Sequence, residues 1–521
     1  MNYKPNDAHN THGACLIRAA YNRPTFMTVN KQARHIIVIG AGMGGLSAAI
    51  SLAANGYRVT ILEQLDVVGG KMGEWREAGF RFDTGPSVIT MRHVYDRLFR
   101  EAGRDLNDYI ELIPLNPITR YHWRDGVVID AVNDEDAMCE QIHRIAPREV
   151  DAYRRFMRYV AGLYAAVSDP FLYRRQPGLR DMLSMPLGDI FKVDALRSMH
   201  QAVTAHFRDP HLVQLFDRFA TYNGSSPYLA PATFNVIAHV EMALGAWYPR
   251  GGVYQMARAY EKLAFELGVD IRTSTRVEEV IIRDREASSV RIAGGQVLRA
   301  DAVVVNADYM HAIHKLIADG AGIWKPVQPL EPSCSGVELL LGVRADENLL
   351  AHHNIFFGSD YKREFDDIFA RKVPPADPTL YVCITAKTDP NHAPAGYGNW
   401  FVMANAPHLS PAYDWSTHTD DYVALMKETL ISWGLDVSPD KIVFERHMMP
   451  QDLQDRFGGH AGAIYGFSSN SRRAAFLRPN NRSPQVRRLY FAGGSVHPGG
   501  GVPLVSLSGI AAAECVREDI D

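Results

Sequence analysis

Gly40, Gly42 and Gly45 form a G-x-G-x-x-G turn, with one more glycine inside it at Gly44. In such a turn the first glycine permits the tight bend. The second lets a pyrophosphate reach the backbone, and the third lets a helix pack on the preceding strand. Phosphate oxygens then sit at a helix N-terminus, where free N–H groups and the dipole favour negative charge. Glu63, with Gln64 beside it, follows 18 residues after Gly45. A carboxylate there accepts hydrogen bonds from ribose hydroxyls and disfavours a 2′-phosphate. The chemistry implied is dinucleotide binding. A merely structural glycine turn is the rival, and the flanking residues argue against it. His35-Ile36-Ile37-Val38-Ile39 reads as a buried parallel strand, Leu46–Ala53 as a helix that stops at Asn55-Gly56, and Arg58–Leu62 as a second strand.

The turn alone does not separate NAD from FAD. Two further glycine clusters do. Val68-Gly69-Gly70-Lys71 lets the chain pass close to the phosphates and the flavin side of the cofactor. Near the other end, Leu489–Gly494 and Gly499-Gly500-Gly501-Val502-Pro503 form a second glycine-dense strand, loop and helix start. A C-terminal segment returning to the cofactor is what an extended FAD requires. A helix N-terminus at Val502–Leu504 would stabilise negative charge on the reduced isoalloxazine.

Composition narrows the class. The chain has 521 residues, 46% hydrophobic and 22% charged, with a net charge of −4. It lacks the basic field that broad nucleic-acid binding needs, and no apolar run reaches the ~18–20 residues of a spanning helix. Five scattered cysteines without a CxxC fit a reducing compartment, with no disulfide framework and no zinc or iron–sulfur site. Among 20 histidines His352-His353 is the only adjacent pair and HExxH is absent, so no metal is expected. Gly-x-Ser-x-Gly, Walker A and paired catalytic carboxylate motifs are also absent. Residues 1–33 are polar, without the apolar core of a signal peptide. They read as a disordered leader, with Met27 as an alternative start.

Further elements must position these groups. Tyr153, Phe156, Val160, Leu163 and Val167 recur at helical spacing within a mostly helical stretch, 150–224. Pro170–Arg180 mixes aromatic and aliphatic residues with arginines. It reads equally as a segment dipping into a bilayer interface or as an ordinary helix pair over the core. Strands are expected at Val277–Ile282, Ser289–Ala293, Val297–Asn306, Gly336–Val343, Leu380–Thr385, Trp400–Asn405 and Leu489–Ala492, and a last helix at Leu504–Val516. The glycines of Gly458–Gly462 lack a preceding β-rich strand, so no second nucleotide site is expected there.

Taken together, Val38–Gly45, Glu63–Lys71, Phe82-Asp83-Thr84-Gly85-Pro86, Tyr248-Pro249-Arg250-Gly251-Gly252-Val253, Val303–Asp308 and the tail from Gly462 to Gly509 resemble the carotenoid (phytoene) desaturase family of FAD-dependent oxidoreductases. The run Ala492 to Pro503 is most similar to that of hydroxycarotenoid 3,4-desaturases and diapocarotenoid desaturases or oxidases. The resemblance implies an α/β (α+β two-domain) flavoprotein of amine-oxidase-like architecture. Its Rossmann-like FAD-binding domain would be discontinuous (34–80, 225–308 and 484–521). A β-sheet substrate domain would span 81–149 and 309–483, under a helical lid at 150–224.

It further implies that Val277 meets the adenosine end through its backbone, and that Gly494, Ser495, Val502 and Pro503 lie along pyrophosphate and flavin. Asp83, Gly85, Pro86, Arg250 and Gly251 would flank the flavin on the substrate side. For Asp83 a turn-capping role stands equally, for Arg250 a structural ion pair. Trp247 and Tyr248 line a tunnel or belong to the core, and His497 touches the ring or steadies its loop.

The function implied is desaturation of a linear polyene by hydride transfer to FAD, at a late step such as hydroxycarotenoid 3,4-desaturation. Terminal-methyl oxidation on the same scaffold is the alternative, and a non-enzymatic isoprenoid-binding chaperone is the rival of another class. A quinone or O2 would accept the electrons. The protein would be cytoplasmic, in peripheral contact with a membrane. Because the cofactor carries the hard step, no acid–base pair is required, and none is assigned.

Overall fold

The computed structural model describes residues 33–175, 193–317, 330–344 and 349–520. The expected leader lies outside these residues except for its last position, and so does the second half of the aromatic–arginine stretch.

His35–Ile39 is buried at four successive apolar positions, as a strand covered on both faces must be. It sits at the centre of a five-stranded parallel sheet, ordered Leu489–Phe491, Ala302–Val305, His35–Ile39, Arg58–Leu62, Asp270–Arg272. Helix Met43–Ala54 packs between helix Tyr254–Glu266 and the closing helix Val502–Ile520. Gly509 makes the last approach possible: a Cβ there would lie 2.1 Å from the carbonyl oxygen of Gly44. The first described strand and helix and the closing helix therefore meet in one layer.

The expected strand Val297–Asn306 is two strands in two sheets. Val297–Arg299 closes a three-stranded antiparallel sheet with Val277–Arg283 and Glu286–Ile292, whereas Ala302–Val305 enters the parallel sheet. Asp301 stands at the crossing. Its carboxylate accepts from the His35 backbone N–H at 2.7 Å, and its own N–H donates to the His35 carbonyl at 2.7 Å.

A seven-stranded mixed sheet runs in the order Ile442–Met448, Ser335–Val343, Gly398–Ala406, Leu380–Ile384, His353–Phe356, Thr119–His122, Val128–Ala131. Alternation along these strands gives the sheet two different faces. Val337, Leu339, Leu341 and Val402 pack against Met426 and Leu430 of helix Trp415–Ser432. On the opposite face Glu338, Met403, Tyr381 and Ile355 stand side by side across four strands. The described part of 150–224 is helical, and Phe156, Phe207 and Phe216 form its ring-packed centre.

Candidate active site

A cavity of about 940 Å³ lies between the parallel sheet and that second face, at the upper end of the range for ligand pockets. Gly40, Gly42, Glu63, Gln64, Gly70, Lys71, Gly85, Pro86, Val277, Gly494, Ser495, Val502 and Pro503 all line it. Residues far apart in sequence thus share one space.

Gly44 and Gly45 sit behind its wall. A Cβ on Gly45 would stand 2.1 Å from the Gly40 carbonyl, and one on Gly44 3.2 Å from the backbone nitrogen of Gly493. These two glycines hold helix to strand and start to tail. The space beside the turn is filled by Asn306, whose amide donates to the Gly40 carbonyl at 3.4 Å. Sequence reasoning gave Asn306 no role. Its place just past the strand Ala302–Val305, inside the Val303–Asp308 segment, was the signal.

Helix Met43–Ala54 begins at Gly42 without a side-chain cap, which leaves first-turn N–H groups for an anion. Glu63 is buried. Its Oε2 accepts from Ala41 N–H at 2.6 Å and its Oε1 from Leu65 N–H at 2.8 Å. Burial raises its pKa against those backbone hydrogen bonds. Each oxygen retains a lone pair. Lys71 donates from Nζ to the carbonyls of Ala463 and Ile464 at 3.0 and 2.7 Å, tying the early glycine loop to a late segment. Burial lowers its pKa, with Asp308 opposing. Gly458 and Gly459 line the same cavity, so this glycine run adds to the first site.

Four expected substrate-side residues lie elsewhere. Arg250 faces out and pairs with Glu111 at 2.6 Å; a guanidinium has no reason to leave water when a carboxylate meets it at the surface. Asp83 is buried but turned away from the cavity. It binds Arg81 at 2.6 Å, the Tyr248 hydroxyl at 2.6 Å and the Val253 N–H at 2.9 Å, ahead of helix Tyr254–Glu266. Trp247 pairs in a two-stranded ribbon and packs on the main core, with Tyr248 wholly buried beside it. Gly251 donates to Asp389 at 3.0 Å. His497 does line the cavity, and its ring nitrogen meets the Arg174 carbonyl at 3.1 Å.

The far part of the cavity holds groups with no local motif. Glu338 is buried on the sheet floor with Oε2 unpartnered, and burial pushes its pKa up to about 8. Arg218, Tyr222 and Glu241 come from the helical layer. The structure also brings His352, His353 and Cys383 together, their ligating atoms within 4.8 Å of one another. The cross-strand pair His353↔Cys383 does not show along the chain.

The colliding glycines, the open helix start and the buried strand-end carboxylate fit FAD. Bound there, FAD supplies a two-electron acceptor that takes hydride from carbon. Fold and site define a flavin-dependent oxidoreductase. The chain belongs to the family of flavin containing amine oxidoreductases, which it matches over residues 43–517, and within it to the carotenoid desaturase-type flavoenzymes. It is 39% identical to a 4,4'-diapolycopene oxygenase of Methylomonas sp over 492 residues, 94% of this chain and 98% of that one. It is 35% identical to a zeta-carotene-forming phytoene desaturase of Myxococcus xanthus, over 92% and 93% of the two chains. Cyclohexylamine oxidase from Brevibacterium oxydans shares the fold, with a TM-score of 0.59 at 16% identity over 94% and 99% of the chains.

Proposed function

We propose that this flavoenzyme is a carotenoid desaturase, adding a conjugated double bond to a linear polyene at a late step such as hydroxycarotenoid 3,4-desaturation. The observation that carries the reading is the continuity of the cavity. The same space bounded by Gly42, Glu63 and Val502 is bounded farther on by Val167, Phe171, Leu172, Val236, Ile237 and Val240. Such apolar walls suit a long hydrocarbon and exclude water from the cofactor's reactive side. In this reading Gly42 and the following helix start take the pyrophosphate. Glu63 takes the ribose, Val277 the adenosine end, and Gly494 to Pro503 the flavin.

Terminal-methyl oxidation of a linear carotenoid is the second reading, favoured by the oxygenase name of the Methylomonas relative. Expression in cells that accumulate different carotenoids, followed by pigment identification, decides between them. A new C=C bond supports the desaturase and a terminal aldehyde the oxidase; unchanged pigment throughout overturns both. A purified protein without a flavin spectrum would instead favour an isoprenoid chaperone.

A quinone or O2 as electron acceptor and a peripheral, cytoplasmic membrane position complete the proposal. Phe171 and Leu172 line the cavity next to the exposed Arg174, paired with Asp169, and the half-buried Arg175, paired with Glu518; apolar and cationic residues side by side suit an anionic bilayer surface. Among the described residues no helix is long and apolar enough to cross a membrane. Co-flotation with anionic vesicles tests this position, and protein that stays at the bottom of the gradient overturns it.

A further inference from the structure

The substrate end of the cavity is not uniformly apolar. Arg218, Tyr222, Asn223 and Glu241 line it together, contributed by the turn Arg218–Asn223 and the helix Val236–Met242. Glu241 is 1% exposed and Arg218 7%. The Tyr222 hydroxyl donates to Glu241 Oε2. Arg218 donates to the Tyr121 hydroxyl at 3.2 Å and lies over the Tyr222 ring. The cluster is nevertheless incomplete. Glu241 Oε1 accepts no hydrogen bond, the guanidinium standing 3.8 Å away, beyond hydrogen-bond reach. Both polar atoms of the Asn223 amide are unpartnered among the described residues, as is Nε2 of the nearby cavity-lining His353. Buried polar groups without partners are costly, and a saturated or polyene hydrocarbon end leaves every one of them so.

We infer that Arg218, Asn223 and Glu241 form a pocket for a hydroxyl group at the end of an otherwise apolar substrate chain. The unpartnered atoms lie just behind the cavity wall, and a hydroxyl meets them when the side chains turn toward it. Its O–H donates to Glu241 Oε1, and its oxygen accepts from the Asn223 amide or the Arg218 guanidinium. The Tyr222 hydroxyl occupies the other carboxylate oxygen, which leaves Oε1 for the substrate. Holding one end of the chain also fixes which carbon–carbon bond lies beside Gly494–Pro503, the segment assigned to the flavin, so the pocket sets regiochemistry as well as affinity. The inference rests on the polyene reading above and adds the residues that discriminate.

The test uses flavin-loaded enzyme and two linear carotenoids that differ only in a terminal hydroxyl. Wild-type enzyme is expected to favour the hydroxylated one in kcat/KM by about tenfold or more, since a site built to bind a hydroxyl rejects the analogue lacking it. Glu241→Gln keeps the shape, and Asn223→Leu removes the amide. Each should collapse that preference toward unity and yield a mixture of double-bond positions from the hydroxylated substrate. Flavin content and melting temperature identify folded variants, and either variant alone is sufficient. A preference and product pattern unchanged in folded variants overturns the pocket and leaves it a site for water only. If wild-type enzyme turns over neither carotenoid, the polyene reading and the pocket built on it both fall.

Discussion

The side-chain oxygen of Asn306 stands 2.6 Å from the point that a Cβ on Gly44 would occupy. The glycine turn is therefore shaped around a specific amide as well as around an anion. Gly44→Ala should lower flavin content severalfold, because the added Cβ meets Asn306 on one side and the Gly493 backbone nitrogen, 3.2 Å away, on another. Adding Asn306→Ala should recover part of the loss, a coupling that flavin-to-protein absorbance ratios across the double-mutant cycle will show. Strictly additive losses would contradict it.

Glu63→Ala removes an acceptor that also holds the N–H groups of Ala41 and Leu65. The buried Ala41 donor is left unpaired, at about 1–3 kcal/mol, and the half-buried Leu65 donor with it. We expect weaker flavin retention and a lower melting temperature together. Gel filtration with flavin quantitation checks the first effect, and an unaltered holoenzyme yield would remove Glu63 from the ribose assignment.

Asp83→Ala should act on stability before activity. Arg81 is 1% exposed and would keep Glu74 at 3.2 Å but lose its bond to Asp83, a charged hydrogen bond worth about 1.5–3 kcal/mol; Tyr248 and Val253 lose bonds as well. Thermal unfolding should fall steeply, while turnover per bound flavin at low temperature is largely kept. A large loss of turnover at an unchanged melting temperature would restore a catalytic role.

Glu338 makes stability depend on pH. In the native chain it holds its proton to about pH 8, against an ordinary value of 4.5 for the unfolded chain. Between these values the native state binds the extra proton. Its contribution is therefore full below the lower value and is lost as pH rises through about 8. Glu338→Gln should flatten that decline, read as melting temperature against pH for the two proteins. Parallel curves would show that Glu338 titrates normally.

Gly162 lies exposed within the helix Val150–Val167, with nothing within 4 Å of an added Cβ. Gly162→Ala should stabilise the protein by about 0.5–1 kcal/mol. Urea denaturation checks this, with flavin content expected to stay the same.

Much of the cofactor half was legible along the chain, because its determinants are local. A β-branched run, glycines at fixed offsets, a small-residue helix and an acid at the next strand's end constrain one another within a few turns of backbone. The tail was legible for the same reason, as a second strand, glycine loop and helix. The ends of the expected strands needed only small adjustment, apart from the crossing at Asp301, where a hydrogen-bonded change of sheet leaves no periodicity to read; the short edge strand Asp270–Arg272 was not expected at all.

The substrate half was decided by tertiary structure. Which face of Ser335–Val343 meets the cavity depends on register with strands far along the chain, and a slip of one residue would turn Glu338 away. Arg250 and Asp83 are adjacent to glycine motifs in sequence, yet ion pairs draw one to the surface and the other into the core. Asn306, the Lys71 latch and the Arg218–Glu241 cluster each join segments with no common local pattern. Only packing the helical layer against the sheet determines which charges are buried together and which polar atoms remain unpartnered.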